Sequence, residues 1–465
     1  MKRILNYFLL FLFLSNIKII FCLLSPPDGK PGDSSTNDYD YSTINYVIKD
    51  EDLNGGEYTS STSDQSVLYV ESTTEIKVYN NSKLTKSGDT AQSSIENCEF
   101  YGVNAAVLVN GGKLAISDST ISTSGKGANA IVATNSASIT ISKSTITSTS
   151  SQSGRGLHST YGGKITATEV TVSSTGGSCA NLATDRGEGT VSCSKCTLTT
   201  GGAGSPLIYS TGDITVSDGT TGTSNGAQMV VVEGKNSATV INSELKCIGK
   251  GNRDSQADKC GVMLYQSMSG DAASGTTSFT CTNSKMQILE GDYYSSAPMF
   301  FVTDTTAKIT LTGCTFTYGS GIFLSAAGNS EGWGTSGSNG GDVTLKLVNQ
   351  DIEGDLNIDG VSTLTLIMEN SSIKGSINHG KTAKSVTITL DTNSKIILTK
   401  NSYYTSLTNG DSTGSNIDSS KGTFESYNSN TETTVPTTDT SKVTNEISCL
   451  KASYYMLILF LVLLL

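Results

Sequence analysis

Proline is scarce in this chain, 6 residues in 465, and arginine is scarcer, at Arg3, Arg155, Arg186 and Arg253 only. There is one tryptophan, there are two histidines, and charged residues make up only 16%. The charge excess is acidic, net −11, so the basic patch that nucleic acid or an anionic membrane surface requires is missing, and no nucleic-acid partner is expected. No long stretch carries apolar residues at helical spacing between capping residues, so little helix is expected outside the termini. Several chemical signatures are missing too. There is no GxSxG turn for a serine nucleophile, no GGxGxDxUx calcium repeat, and no run of three acids on neighbouring turns. A weakly charged chain is disordered when its apolar residues are scattered. Here they are not.

What is present is a repeat. Leu114-Ala-Ile116-Ser-Asp-Ser119-Thr-Ile121 is followed by Ile139-Thr-Ile141-Ser-Lys-Ser144-Thr-Ile146. Then come Ile165-Thr-Ala167-Thr-Glu-Val170-Thr-Val172 and Val191-Ser-Cys193-Ser-Lys-Cys196-Thr-Leu198. The closing residues of these units are 25, 26 and 26 residues apart. Small or apolar residues fill the first, third, sixth and eighth positions. Alternation of period two is a strand with one buried face, and the step from third to sixth position is a turn between two strands. Less regular copies extend in both directions, and an Asn-Ser-x-apolar tag at Asn242, Asn283, Asn370 and Asn393 marks one corner. Asparagine tolerates a left-handed backbone there, and stacked asparagines can bond from coil to coil. The pattern predicts an all-β chain, a single right-handed parallel β-helix solenoid with short parallel strands, over residues 56–400. Residues 91–100 read as an insertion, and longer loops leave the array at 249–259, 268–277 and 328–342.

The ends read differently. Residues 1–22 have the charged start and apolar run of a signal peptide, and 23–55 read as a flexible lead-in. Residues 401–447 form a Ser/Thr-rich stalk. The hydrophobic tail 448–465 suits either a GPI-type signal or a retained membrane anchor. An exported, surface-held, monomeric rod is therefore expected. Asn80 and Asn370 head N-glycosylation sequons. Cys247 and Cys260 bracket a polar insertion and are expected to pair. Cys193 and Cys196 occupy core positions of the repeat, so the reading takes them as buried core thiols and not as a redox or metal pair. No cofactor or metal site is expected.

Five runs add a likeness: Tyr101-Gly-Val-Asn-Ala-Ala-Val107, Asp185-Arg-Gly-Glu-Gly-Thr-Val191, Glu233-Gly-Lys-Asn-Ser237, Gly261 to Asp271 and Trp333 to Asp342. Over about residues 56–410 the chain resembles secreted right-handed parallel β-helix repeat proteins of anaerobic gut microbes, adhesin-like and of the pectin-lyase-like fold. That resemblance implies a fold and a location, not a reaction.

The segments preceding the repeated units suggest a binding face. Ala106/Leu108, Ile131/Ala133, Leu157/Ser159, Pro206/Ile208 and Val230/Val232 read as inward. Their neighbours, among them Val107/Val109, His158, Tyr209 and Glu233, read as outward. With the adjoining turns, stacking would align His158, Tyr161, Asp185, Arg186, Tyr209, Glu233 and Lys235 on one side, a polar and aromatic stripe suited to sugars. The reading favours a non-catalytic adhesion or carbohydrate-binding protein, its partner a glycan or cell-surface ligand and its membrane contact the C-terminal tail. The alternatives are a polysaccharide lyase or glycoside hydrolase on uronate-containing plant polysaccharide, or a structural surface coat. For a hydrolase, Asp185 and Glu233 are the available carboxylates. For a triad, His158 is the available base.

Overall fold

The structure, a computed structural model, describes residues 36–91, 95–249, 259–291 and 293–428. The segments read as a signal peptide and a hydrophobic tail lie outside them. Among the described residues the chain is a parallel β-helix built on three faces. Sheet 1 has twelve strands, from Asn45–Lys49 to Asp355–Ile358. Sheet 2 has fourteen, from Leu53–Asn54 to Ser406–Asn409. Sheet 3 has ten, from Glu57–Ser60 to Thr315–Thr317, and a sheet of four, Asp351–Glu353 to Ile417–Asp418, follows it.

The repeat dictates this register. Leu114, Ile139, Ile165, Val191, Ile214 and Ala238 are partners from coil to coil, and so are Ile116, Ile141, Ala167, Cys193, Val216 and Val240. All are buried in one continuous core. Ile121, Ile146, Val172 and Leu198 form the matching column of sheet 3. The next position is Gly222, where a Cβ would stand 2.5 Å from Leu207 Cδ1, so Leu207 fills the space that a side chain would take.

The turn between sheets 2 and 3 requires a left-handed residue in almost every coil. Asn242, Asn283 and Asn370 take φ of 46–48°, as the tag predicts, but Lys143, Glu169 and Lys195 are left-handed as well, at 48–58°. There stacking overrides residue preference. At Asn393 the corner is made differently, with Asp391 Oδ1 accepting from Asn393 N, Ser394 N and Ser394 Oγ. The residue after the corner points inward. Its backbone N–H finds a hydroxyl in the next coil, as in Ser119 N to Ser144 Oγ (3.2 Å) and Ser243 N to Ser284 Oγ (3.1 Å). Asparagines do bond along the stack, with Asn370 Nδ2 donating to Asn349 Oδ1 at 2.8 Å and Asn135 Nδ2 to Asn110 Oδ1 at 2.6 Å.

Several expectations change. Asn45–Lys49 and Leu53–Asn54, inside the stretch read as lead-in, already pair with the following coil. Past residue 400, Ser402–Tyr404 pairs with Phe424–Ser426, so the stalk begins as ordered strand. In the first regular coil the alternation runs opposite to the reading. Val107 and Val109 face the core, and Leu108 faces out. Both sides of that strand are covered, so apolarity alone could not set its phase.

Cys193 and Cys196 are buried as expected, but bonded to one another across the corner of their own coil. Cys281 and Cys314 join neighbouring coils. Cys247 and Cys260 do not form a disulfide. Cys247 belongs to the central core, while Cys260 lies in a separate cluster with Met263 and Phe301 outside sheet 1. A wall of strand stands between two residues that look adjacent in sequence.

The Cys281–Cys314 bond closes a 33-residue separation. Replacing both residues by Ser is expected to lower unfolding stability by about 3 kcal/mol, read from the denaturant midpoint. Equal midpoints for variant and wild type would show that the coils hold without it.

Candidate functional site

Alternate residues of each sheet 1 strand face away from the core. The register places Leu108, Val132, His158, Ala183, Tyr209, Val231, Met263 and Phe301 in one outward column. Glu233 and Tyr265 stand in the next. His158, Tyr209 and Glu233 are thus on the expected face and Asp185 beside them, but the face is not open to solvent. His158 and Glu233 are 0% exposed and Asp185 is 2% exposed.

Three insertions cover it. The helix α1, Ile95–Tyr101, crosses the middle of the face, and the loop 266–275 lies beyond it. Trp333 of the loop 328–342 packs on Tyr265, with ring centroids 4.7 Å apart. Sequence alternation reports which side of a sheet a residue occupies and says nothing of what folds on top.

Beneath α1 the groups expected to contact ligand contact one another. Arg155 Nη1 donates to Asp185 Oδ2 at 2.5 Å, and its Nη2 lies 3.4 Å from Glu99 Oε1. Burial opposes the Arg155 charge, but Asp185 and Glu99 outweigh it and lift its pKa above the usual arginine value. Burial pushes Asp185 up to about 7, with Arg155 pulling the other way. His158 Nε2 lies 2.5 Å from the Glu99 carbonyl oxygen. The carbonyl can only accept from that nitrogen, while Arg155 Nη1, 3.2 Å from it, can only donate to it. Burial, then the neighbouring Arg155 charge, drop the His158 pKa from 6.5 to about 3, and the ring is neutral.

Beneath the 266–275 loop, Glu233 is saturated. Its Oε2 accepts from Tyr209 (2.9 Å) and Tyr265 (2.7 Å), and its Oε1 from the Ser267 backbone N–H (3.2 Å) and hydroxyl. Burial raises this carboxyl, and the Ser267 and tyrosine donors hold it back. The aromatic faces are occupied as well. Tyr161 stacks on Tyr101 at 5.8 Å and 3°, and Tyr101 on Tyr39 at 4.9 Å.

Arg186, half-buried, bridges two covers: its guanidinium lies 3.7 Å from the Phe100 ring centroid, and its Nε donates to Asp271 at 3.2 Å. Lys235 pairs with Glu188 at 2.6 Å near the surface. The carboxylates considered for a hydrolase and the histidine considered for a triad are committed to this buried network. The expected open stripe is a covered seam.

An open site lies farther along, where the loops 268–277 and 328–342 leave the two coils on either side of a single coil. Between them is a cleft of about 530 Å³. Asp304, at the corner between the strands Phe300–Thr303 and Thr305–Thr312, lines it with Thr305 and Thr306, and Gln266, Met268, Ser338 and Asp342 line it from the flanking segments. Met268 is 60% exposed, unusual for so apolar a side chain. Asp304 adopts φ +51°, and a Cβ on Gly334 would come within 2.0 Å of its Oδ1, so this turn fits only with glycine above the carboxylate. Burial raises the Asp304 pKa. The lining includes no lysine or arginine. The sequence signal for this site was the pair of long loops one coil apart, not a residue motif. Comparison with protein families, curated proteins and solved structures finds no match.

The His158 shift makes a signed prediction. From pH 6.5 down to about 3 the unfolded chain takes up a proton that the folded chain refuses, so stability is lost as pH falls, by up to about 1.4 kcal/mol per pH unit. Asp185 acts oppositely between its ordinary 3.8 and about 7, so the difference between wild type and His158→Gln isolates the histidine. The variant is expected to lose less melting temperature than wild type between pH 7 and pH 4. Parallel curves would contradict the buried neutral ring.

Proposed function

We propose that this protein is an exported, surface-held β-helix that binds carbohydrate without catalysis, as an adhesion or recognition element, and that the cleft between the two long loops is where the sugar sits. The cleft carries the reading: an open concavity lined by carboxylates and hydroxyls, with one exposed apolar side chain, suits the hydroxyls and the C–H faces of a saccharide. A uronate polymer would meet two carboxylates and no cation there, which favours a neutral or basic sugar over the substrate of a pectin-type lyase.

The location rests on other observations. The leader and apolar tail fit export and anchoring. Two disulfides fit an oxidising compartment. Asn80 and Asn370 are both exposed, where an attached glycan has room. The resemblance to adhesin-like proteins of gut microbes agrees with that address.

Glycan-array binding of the full chain tests the function. At least one sugar class should be retained, and Thr306→Trp, which fills the cleft from an exposed position, should weaken it tenfold or more with the melting temperature unchanged. Retention of no glycan, or full retention by the Trp variant, would remove the proposal.

A further inference from the structure

Resting on the reading of the cleft as a sugar site, we infer that its ligand is an amino sugar with a free ammonium group, recognised at Asp304. Among the described residues, the partly buried acidic side chains elsewhere in the array have partners. Asp359, close by, accepts from Gly328 N, Val361 N and Ser362 Oγ. Asp355 has Lys400 at 2.7 Å and the Ser376 hydroxyl. Asp342, across the cleft, accepts from Thr363 Oγ1 at 2.9 Å. Asp304 is the exception. Its carboxylate is partly buried beneath Gly334, burial raises its pKa, and among the described residues no hydrogen bond or ion pair reaches it. A half-desolvated carboxylate without a donor is costly, and a cation that enters with the ligand removes that cost.

Gln266, in the same wall, turns its amide away from the cleft: its Nε2 donates to the carbonyls of Ser267 and Ala272, and its Oε1 is buried against Gly234. The side chains that face the cleft are two carboxylates and several hydroxyls, with no cation among them. An ammonium group is the complementary piece, three N–H donors and a positive charge on one atom. An acetamido group brings one N–H and no charge, and a hydroxyl brings one donor that is itself an acceptor. The exposed Met268 at the cleft offers a soft apolar contact for the ring that bears the amine.

The experiment is calorimetric titration of the full chain with three oligomers of equal length, of glucosamine, of N-acetylglucosamine and of glucose, at low and at high salt. The glucosamine oligomer should bind at least tenfold tighter than either of the others. Asp304→Asn, which keeps a residue tolerant of left-handed backbone, should abolish that preference without moving the melting temperature. Equal or tighter binding of the acetylated or neutral oligomer would overturn the ammonium inference and leave the sugar site standing. A preference that survives Asp304→Asn would trace it to the net negative charge of the chain and overturn the assignment to Asp304. Binding of none of the three would overturn both this inference and the sugar reading on which it rests.

Discussion

Each coil of this protein is too small to bury its own apolar face, and the structure follows from how that is relieved. Backbone pairs with backbone from one coil to the next, always in parallel, and the inward columns of Ile, Leu and Val join into one interior. The pairing fixes every neighbour in register. That explains why a lysine or a glutamate adopts left-handed geometry at the corner: leaving it would cost the bonds of two coils. It also explains why serine recurs just after the corner, where its hydroxyl serves a backbone N–H of the adjacent coil.

The same regularity creates a problem outside. A broad sheet carrying Leu108, Val132, Val231, Met263 and Phe301 on its outer side would leave apolar surface exposed. Segments inserted between strands fold back over it, and the polar groups trapped underneath are matched to one another. Arg155 is met by Asp185 and Glu99, and Glu233 by two tyrosines and Ser267. Removing one member of such a set leaves a buried charge uncompensated. Beyond the covers, the loops that shield Tyr265 also bound the open cleft, so one pair of insertions both closes the seam and shapes the site.

Much of this was legible in the sequence. Period-two alternation and the recurrence near twenty-five residues gave the parallel β-helix and the inward columns of Leu114, Ile116 and Ile121. The Asn-Ser tag located a left-handed corner. His158, Tyr209 and Glu233 were assigned to the correct side of the correct sheet. Their surroundings were not legible, because the covers come from residues 59 positions earlier for His158 and 34 later for Glu233, and no local pattern carries such distances. Cysteine pairing failed for the same reason. Cys247 and Cys260 are close in sequence but on opposite sides of a strand, while Cys281 and Cys314 are far apart in sequence and adjacent in the stack.

The central claim is that the outer face of sheet 1 is sealed by its own insertions. The chain has only two histidines, His158 under the helix and His379 at the surface, so an imidazole-acylating reagent followed by peptide mass spectrometry tests it directly. The account predicts rapid modification of His379 and none of His158 until denaturant is added. Modification of both at the same rate in the native protein would contradict it.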